Sequence, residues 1–166
     1  MPEAGQLTFV PTALDGPLAQ PLLAELAVEY AQRYGGAPDR VLAWLQNNPD
    51  DEFAPPDGGL LVGVLDGRTV TGGGFRRLDA DTAELKRIWT DSAHRRRGYA
   101  MALLSELEAE IAARGYRNVY LMTGDRQPEA EELYQAAGYI RLPEPLPSEG
   151  PVFPVAFHKE LAKGLA

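Results

Sequence analysis

Residues 84–104 read ELKRIWTDSAHRRRGYAMALL, and the pattern changes period halfway along. Residues 83–90 read as a strand. From 98 to 114 the apolar set Ala100, Leu103, Leu104, Leu107 and Ile111 recurs at helical spacing, with Glu106 and Glu110 on the other face. Gly115 stands at the position that ends such a helix. Between strand and helix lies a turn rich in arginine and glycine. The first amides of a helix have no intrahelical acceptor, and the helix dipole adds partial positive charge there, so this arrangement suits an anion. Gly98 lets backbone approach a ligand closely, and Ala100 keeps the next approach small. Arg95, Arg96 and Arg97 add charge, but no lysine followed by Ser or Thr makes this a triphosphate loop. A diphosphate with a long neutral tail fits better. On charge alone, a solvated basic turn is the better reading.

Working outward, residues 60–65 and 69–78 predict two strands around the Asp66-Gly67 turn, a strong hairpin signal. Upstream, residues 7–10 predict a first strand. Leu18, Leu22, Leu26 and Tyr30 predict a helix started near Asp15 and Pro17 and stopped at Gly35-Gly36. A shorter helix is expected over 39–47, then a loop over 48–59. Downstream, 118–122 predicts a short buried strand, 128–137 a helix with Pro128 at its first position, and 139–142 and 152–161 two closing strands. The β-α-β step from 83 to 122 implies two parallel neighbours joined by a right-handed crossover. The rest of the sheet is expected to be antiparallel.

Composition bounds the chemistry. The chain of 166 residues is long enough for one cored domain, and no stretch reaches the roughly 18 apolar residues of a membrane span. The N-terminus lacks the features of a signal peptide, so a cytoplasmic location is expected. There is no cysteine, so group transfer must be direct or use another nucleophile. His94 and His158 have no metal-ligand spacing around them, so no metal is expected. A net charge of -8 argues against nucleic acid. The charge is unevenly spread. Residues 1–59 hold nine acids and two bases, whereas 84–100 hold five bases (Lys86, Arg87, Arg95, Arg96, Arg97) and two acids. An anionic ligand on the basic segment and a cationic partner on the acidic one follow from that asymmetry.

Arg95-Arg96-Arg97-Gly98-Tyr99-Ala100 resembles the pyrophosphate signature in motif A of the GNAT acetyltransferase superfamily: Gln or Arg, two residues, Gly, one residue, Gly or Ala. The preceding strand and the following amphipathic helix strengthen the match. ELYQAAGY, residues 132–139, is similar to the family's motif B. The resemblance implies a mixed α/β fold: a mostly antiparallel central sheet with helices on both faces and two splayed parallel strands, about 84–90 and 118–122. It implies one domain over 1–166, with a coenzyme-binding core at 83–140 and an acceptor side at 1–59. Backbone at Ile88, Trp89 and Thr90 would pair with the pantetheine arm. Arg95, Arg96, Arg97, Gly98, Tyr99, Ala100 and Met101 would hold the pyrophosphate. Many relatives carry Asn near the start of the motif B helix, and here Gln127 stands before Pro128.

By the same resemblance, Glu84 occupies the offset of the general-base glutamate, and Tyr134 that of the phenol that protonates the thiolate. The other readings are a strand-end Glu84 paired with Lys86 or Arg87, and a Tyr134 packed in the core. The implied activity is N-acetylation of a primary amine by acetyl-coenzyme A in a ternary complex. The alternative is a non-catalytic acyl-coenzyme A sensor on the same fold. Expected partners are a small-molecule or protein amine, with a homodimer also allowed, and neither nucleic acid nor membrane.

Overall fold

The computed structural model describes residues 6–13, 16–46, 53–124, 128–143 and 154–161. The elements follow the expected order: β1 (Thr8–Pro11), α1 (Gln20–Tyr34), α2 (Pro38–Gln46), β2 (Gly59–Leu65), β3 (Arg68–Arg77), β4 (Thr82–Thr90), α3 (Tyr99–Ala113), β5 (Asn118–Gly124), α4 (Pro128–Ala136), β6 (Ile140–Arg141) and β7 (Pro154–Glu160). The expected cap at Asp15, the end of the second helix at residue 47, residues 48–52 of the loop that follows it, and residues 144–153 lie outside the described residues. β5 runs two residues further than its apolar run suggested, and β6 is two residues long rather than four.

The seven strands form one sheet in the order β1-β2-β3-β4-β5-β7-β6. Every neighbouring pair is antiparallel except β4 and β5. The β2–β3 turn is two residues, with Asp66 at φ 50° and Gly67 at φ 80°. Both signs are those a tight hairpin needs to match strand twist.

Helices cover both faces. α3 gives Leu103, Leu104, Leu107 and Ile111 to a core with Phe75, Leu85, Leu121 and Phe157 from the sheet. On the other face, Leu22, Leu23, Leu26 and Ala27 of α1 and Leu45 of α2 pack with Trp89. Burying each such side chain is worth about 1.5–3 kcal/mol, so these two layers hold the sheet.

The interior strand β3 carries Gly72, Gly73 and Gly74 in succession. An added Cβ at Gly72 would lie 2.7 Å from Leu22 Cδ1, and one at Gly73 would lie 2.4 Å from Ile88 Cδ1 and 3.3 Å from Leu107 Cδ1. The bare strand therefore lets a helix close in on each face.

The parallel ladder is short. It joins Thr82↔Asn118 through Leu85↔Leu121 and then stops. β4 stays with β3 up to Thr71↔Thr90, and β5 stays with β7 up to Gly124↔Pro154. Past Leu85, then, the two parallel strands belong to two diverging halves of the sheet.

Gly72→Val tests the close packing of α1. Its Cβ would also meet the Leu61 carbonyl oxygen and Val62 Cγ1, each at 3.1 Å, so relief by turning Leu22 alone is not enough. Urea unfolding is expected to show a loss of about 1–3 kcal/mol, the usual cost of overpacking.

Candidate functional site

The divergence of β4 from β5 has a local cause. On β3, Gly72 pairs with Trp89 and Gly74 pairs with Lys86, so Gly73 faces two residues, Arg87 and Ile88. Arg87 sits at φ 61°, the left-handed region, as the extra residue of a β-bulge. The bulge places Ile88 against the α3 core and Trp89 in the α1 core, while the Arg87 guanidinium lies 5.7 Å over the Phe53 ring. The edge of β4 that faces β5 is taken up by no ladder partner among the described residues from Lys86 to Thr90. Such an edge can pair with an extended ligand.

At the same end of the sheet, β4 runs into the start of α3. Arg96 has φ 65°, and Gly98 has φ 80° and ψ 7°. The first intrahelical bond runs from Ala102 N to the Gly98 carbonyl at 3.0 Å. The amides of Tyr99, Ala100 and Met101 thus have no intrahelical acceptor, and Gly98 supplies no capping side chain. Arg96, Arg97 and Gly98 are exposed. Among the described residues no ion pair engages Arg96 or Arg97. Three open amides, a helix dipole and two exposed guanidinium groups are an arrangement that can attract an anion.

Arg95 is placed differently. Its Nη2 donates to Glu29 Oε1 on α1, and its Nε reaches the Thr90 carbonyl at 3.5 Å. The rest of the connection is tied down as well. Asp91 N donates to the Val70 carbonyl at 2.7 Å, and Ser92 N donates to Glu25 Oε1 at 2.7 Å. Asp91 Oδ2 accepts from Ala93 N at 3.2 Å and pairs with His94 Nδ1 at 2.5 Å. The His94 ring stacks on Tyr99 with centroids 6.4 Å apart. Burial pushes the Glu25 carboxyl above its ordinary range, and neighbouring Asp91 adds to the rise. Burial works against ionisation at Asp91 too, but hydrogen bonds with His94 and Glu25 outweigh it and hold Asp91 low.

The two proposed proton-handling residues are both buried. Glu84 is 2% exposed. Its Oε1 accepts from Arg76 Nε at 2.9 Å, and Lys86 Nζ lies 3.9 Å from Oε2. Glu84 stands opposite Tyr120 in the paired part of the parallel ladder, one step before the strands part. Tyr134 on α4 packs its ring 5.8 Å from Tyr139 and 5.7 Å from Phe157. Burial, with a smaller push from Tyr30 on α1, raises its phenol well above the usual range, so it stays protonated. Trp89 is a core residue whose Nε1 has no hydrogen-bond partner among the described residues. Thr90 Oγ1 lies 3.0 Å from Thr71 Oγ1, and Met101 is partly exposed in the first turn of α3. Gln127 lies outside the described residues. Arg76, Glu25 and Glu29 were not singled out by the sequence reading. Glu25 and Glu29 carried one signal, a one-turn spacing on an acidic helix facing a basic segment.

Taken together, an open strand edge and an anion-binding helix start lie at one end of a parted strand pair, with a protonated phenol and a paired carboxylate on neighbouring elements. That combination can hold an elongated ligand with an anionic group at one end.

The sequence matches the acetyltransferase (GNAT) family over residues 22–139. Solved structures share the fold. An acetyltransferase of the GNAT family from Staphylococcus aureus Mu50 is 17% identical, with 95% of this chain and 100% of that one covered at a TM-score of 0.75. A PaiA N-acetyltransferase from Thermoplasma acidophilum, in complex with coenzyme A, is 15% identical, with 94% and 99% covered at 0.70. A GNAT family acetyltransferase from Elizabethkingia anophelis, with acetyl-coenzyme A bound, is 18% identical, with 93% and 98% covered at 0.63. No curated protein matches the sequence.

The left-handed positions of the loop give opposite expectations. An added Cβ at Gly98 meets nothing within 4 Å, so its cost is conformational alone. Gly98→Ala is expected to lower the unfolding free energy by about 1 kcal/mol, and Arg96→Gly to leave it unchanged or raise it by a few tenths. Thermal and urea unfolding of the two variants check the pair; equal effects would contradict the assigned dihedrals.

Proposed function

This chain belongs to the acetyltransferase (GNAT) family, and we propose that it moves an acetyl group from acetyl-coenzyme A directly onto a primary amine. The observation that carries the proposal is the end of the parallel ladder at Leu85↔Leu121 beside the uncapped start of α3. The residues fit the coenzyme on their own chemistry. Amides of Tyr99, Ala100 and Met101, with Arg96 and Arg97, would hold its diphosphate. The free edge of β4 around Ile88, Trp89 and Thr90 would pair with the amides of its pantetheine arm. The bound thioester supplies the electrophilic carbonyl.

The remaining work falls to side chains. An ammonium must lose a proton before it attacks, and Glu84 is the proposed acceptor of that proton, directly or through water. Tyr134 is the proposed donor to the departing thiolate. Its protonated state suits the role, since a phenol held above its ordinary range keeps its proton at neutral pH. The acceptor would approach from the side of α1 and α2. The acidic bias of the N-terminal half favours a cationic amine, although Glu25 and Glu29 are already spent on the β4–α3 connection.

One observation favours the second reading, a coenzyme-binding sensor without catalysis. Glu84 is buried and its carboxylate is engaged by Arg76 and Lys86, the arrangement of a structural ion pair.

Two measurements separate the readings. Acetyl-coenzyme A at a hundredfold excess over its dissociation constant is expected to stabilise the fold by about 2.7 kcal/mol, seen as a raised Tm. No shift at millimolar ligand would remove both. A panel of amines, read by release of free coenzyme A, then tests transfer. With an accepted amine, Glu84→Gln is expected to slow transfer by roughly 10²–10⁴ with little change in coenzyme affinity, and less so at high pH where the amine is already neutral. Full activity of Glu84→Gln across pH would exclude Glu84 as the base.

A further inference from the structure

We infer that Glu25 and Glu29 of α1 are positioning residues for the coenzyme loop, holding the β4–α3 connection so that its open amides meet the diphosphate. The inference rests on the reading that α3 takes the coenzyme's diphosphate.

The geometry divides the connection in two. From Thr90 to Arg95 each residue is anchored. The Thr90 carbonyl accepts from Arg95, Asp91 N reaches Val70, Ser92 N reaches Glu25, Ala93 and His94 bond to Asp91, and Arg95 bonds to Glu29. From Arg96 to Gly98 the chain is exposed and takes two left-handed turns into the helix. The anchored part fixes where those turns begin. Two of its anchors come from a single helix, 66 or 67 residues away in sequence, through carboxylates one turn apart. The same helix buries Leu22, Leu23 and Leu26 in the cluster that holds Trp89, so its position is set by the sheet and passed to the loop.

Electrostatics argues against a role in plain attraction. A loop built to draw an anion would leave its arginines unpaired, yet Glu29 neutralises Arg95 beside the anion site. Paired at contact distance, the two charges leave mostly a dipole, whose field falls faster than that of one guanidinium. Arg95 and Glu29 therefore act as a strut, and Arg96 and Arg97 carry the attraction. Because α1 also lies on the acceptor side, the strut links the two halves of the proposed site.

The test uses the full chain, with calorimetry of coenzyme A and of pantetheine, which lacks the diphosphate. Glu25→Ala is expected to weaken coenzyme A about fivefold, and Glu25→Gln, whose amide oxygen still accepts from Ser92 N, to stay within about twofold of the parent. Glu29→Ala and Arg95→Ala are each expected to weaken coenzyme A about three- to tenfold, and the double variant no more than either alone, since both break one contact. Pantetheine should compete equally against parent and variants. In a Trp44→Phe background, Trp89 emission without ligand should match the parent, showing that α1 stays docked.

An additive double variant would mean that Arg95 touches the ligand itself, and it overturns the strut. So would single variants that bind coenzyme A like the parent, or an equal loss for pantetheine. A parent chain that binds no coenzyme A overturns the reading beneath the inference as well, and so tells the two failures apart.

Discussion

Two parallel strands that stop pairing after four residues each are the constraint on which the site depends. Backbone amides and carbonyls inside a sheet normally find partners, and leaving a run of them open costs free energy unless something fills the gap. The bulge at Arg87 opposite Gly73 accounts for the opening, since one extra residue on β4 offsets that strand just past the last parallel pair. Gly73 is what permits it: Ile88 Cδ1 occupies the space a Cβ would need. From that one irregularity follow the free edge of β4, the placement of the α3 N-terminus at the same end, and the room between the two halves of the sheet.

The opening would be soft if nothing braced it, and each end has its own brace. At the paired end, Arg117 N and Asn118 N both bond to the Asp81 carbonyl, at 2.8 and 3.0 Å, and so lock the start of β5 beside β4. Across the other helix face, Glu108 of α3 accepts from the Tyr139 hydroxyl at 3.0 Å and from Lys159 Nζ at 2.8 Å. Lys159 also donates to the Ala137 carbonyl at the end of α4. This network ties α3, α4 and β7 together around the ring of Tyr134. At the open end the brace is α1, through Trp89 and the two carboxylates.

Much of this was legible in the sequence because it is local. The strand-turn-helix period change, the Asp66-Gly67 hairpin and the Gly35 and Gly115 stops depend on neighbours within a few residues. What was not legible depends on register. Glu84 was read against Lys86 or Arg87, its chain neighbours. Lys86 does lie 3.9 Å from its carboxylate, but the antiparallel pairing adds Arg76 opposite it, and the bulge turns Arg87 onto Phe53. Nothing in a run such as KRIW announces a bulge, since the left-handed residue is an arginine rather than a glycine. The three glycines of β3 lie in a run read simply as strand, and their use appears once a helix lies on each side. The three arginines read alike, although Arg95 pairs with Glu29 and the other two make no ion pair among the described residues.

That last distinction bears on how an acidic chain would hold the proposed coenzyme's diphosphate. With screening over about 8–10 Å at physiological salt, the net charge of -8 matters less than the groups nearest the ligand. Many of the acids are paired where they stand: Glu29 with Arg95, Glu84 with Arg76, Glu108 with Lys159 and Glu110 with Arg114. Pairing removes repulsion, but it also removes attraction from Arg95. What remains at the helix start is a pair of exposed guanidinium groups, whose individual contributions in water are small, and a set of amides whose strength depends on pointing the right way. An anion site of this kind draws its affinity more from backbone direction than from charge. The residues that fix that direction therefore matter as much as those that carry the charge.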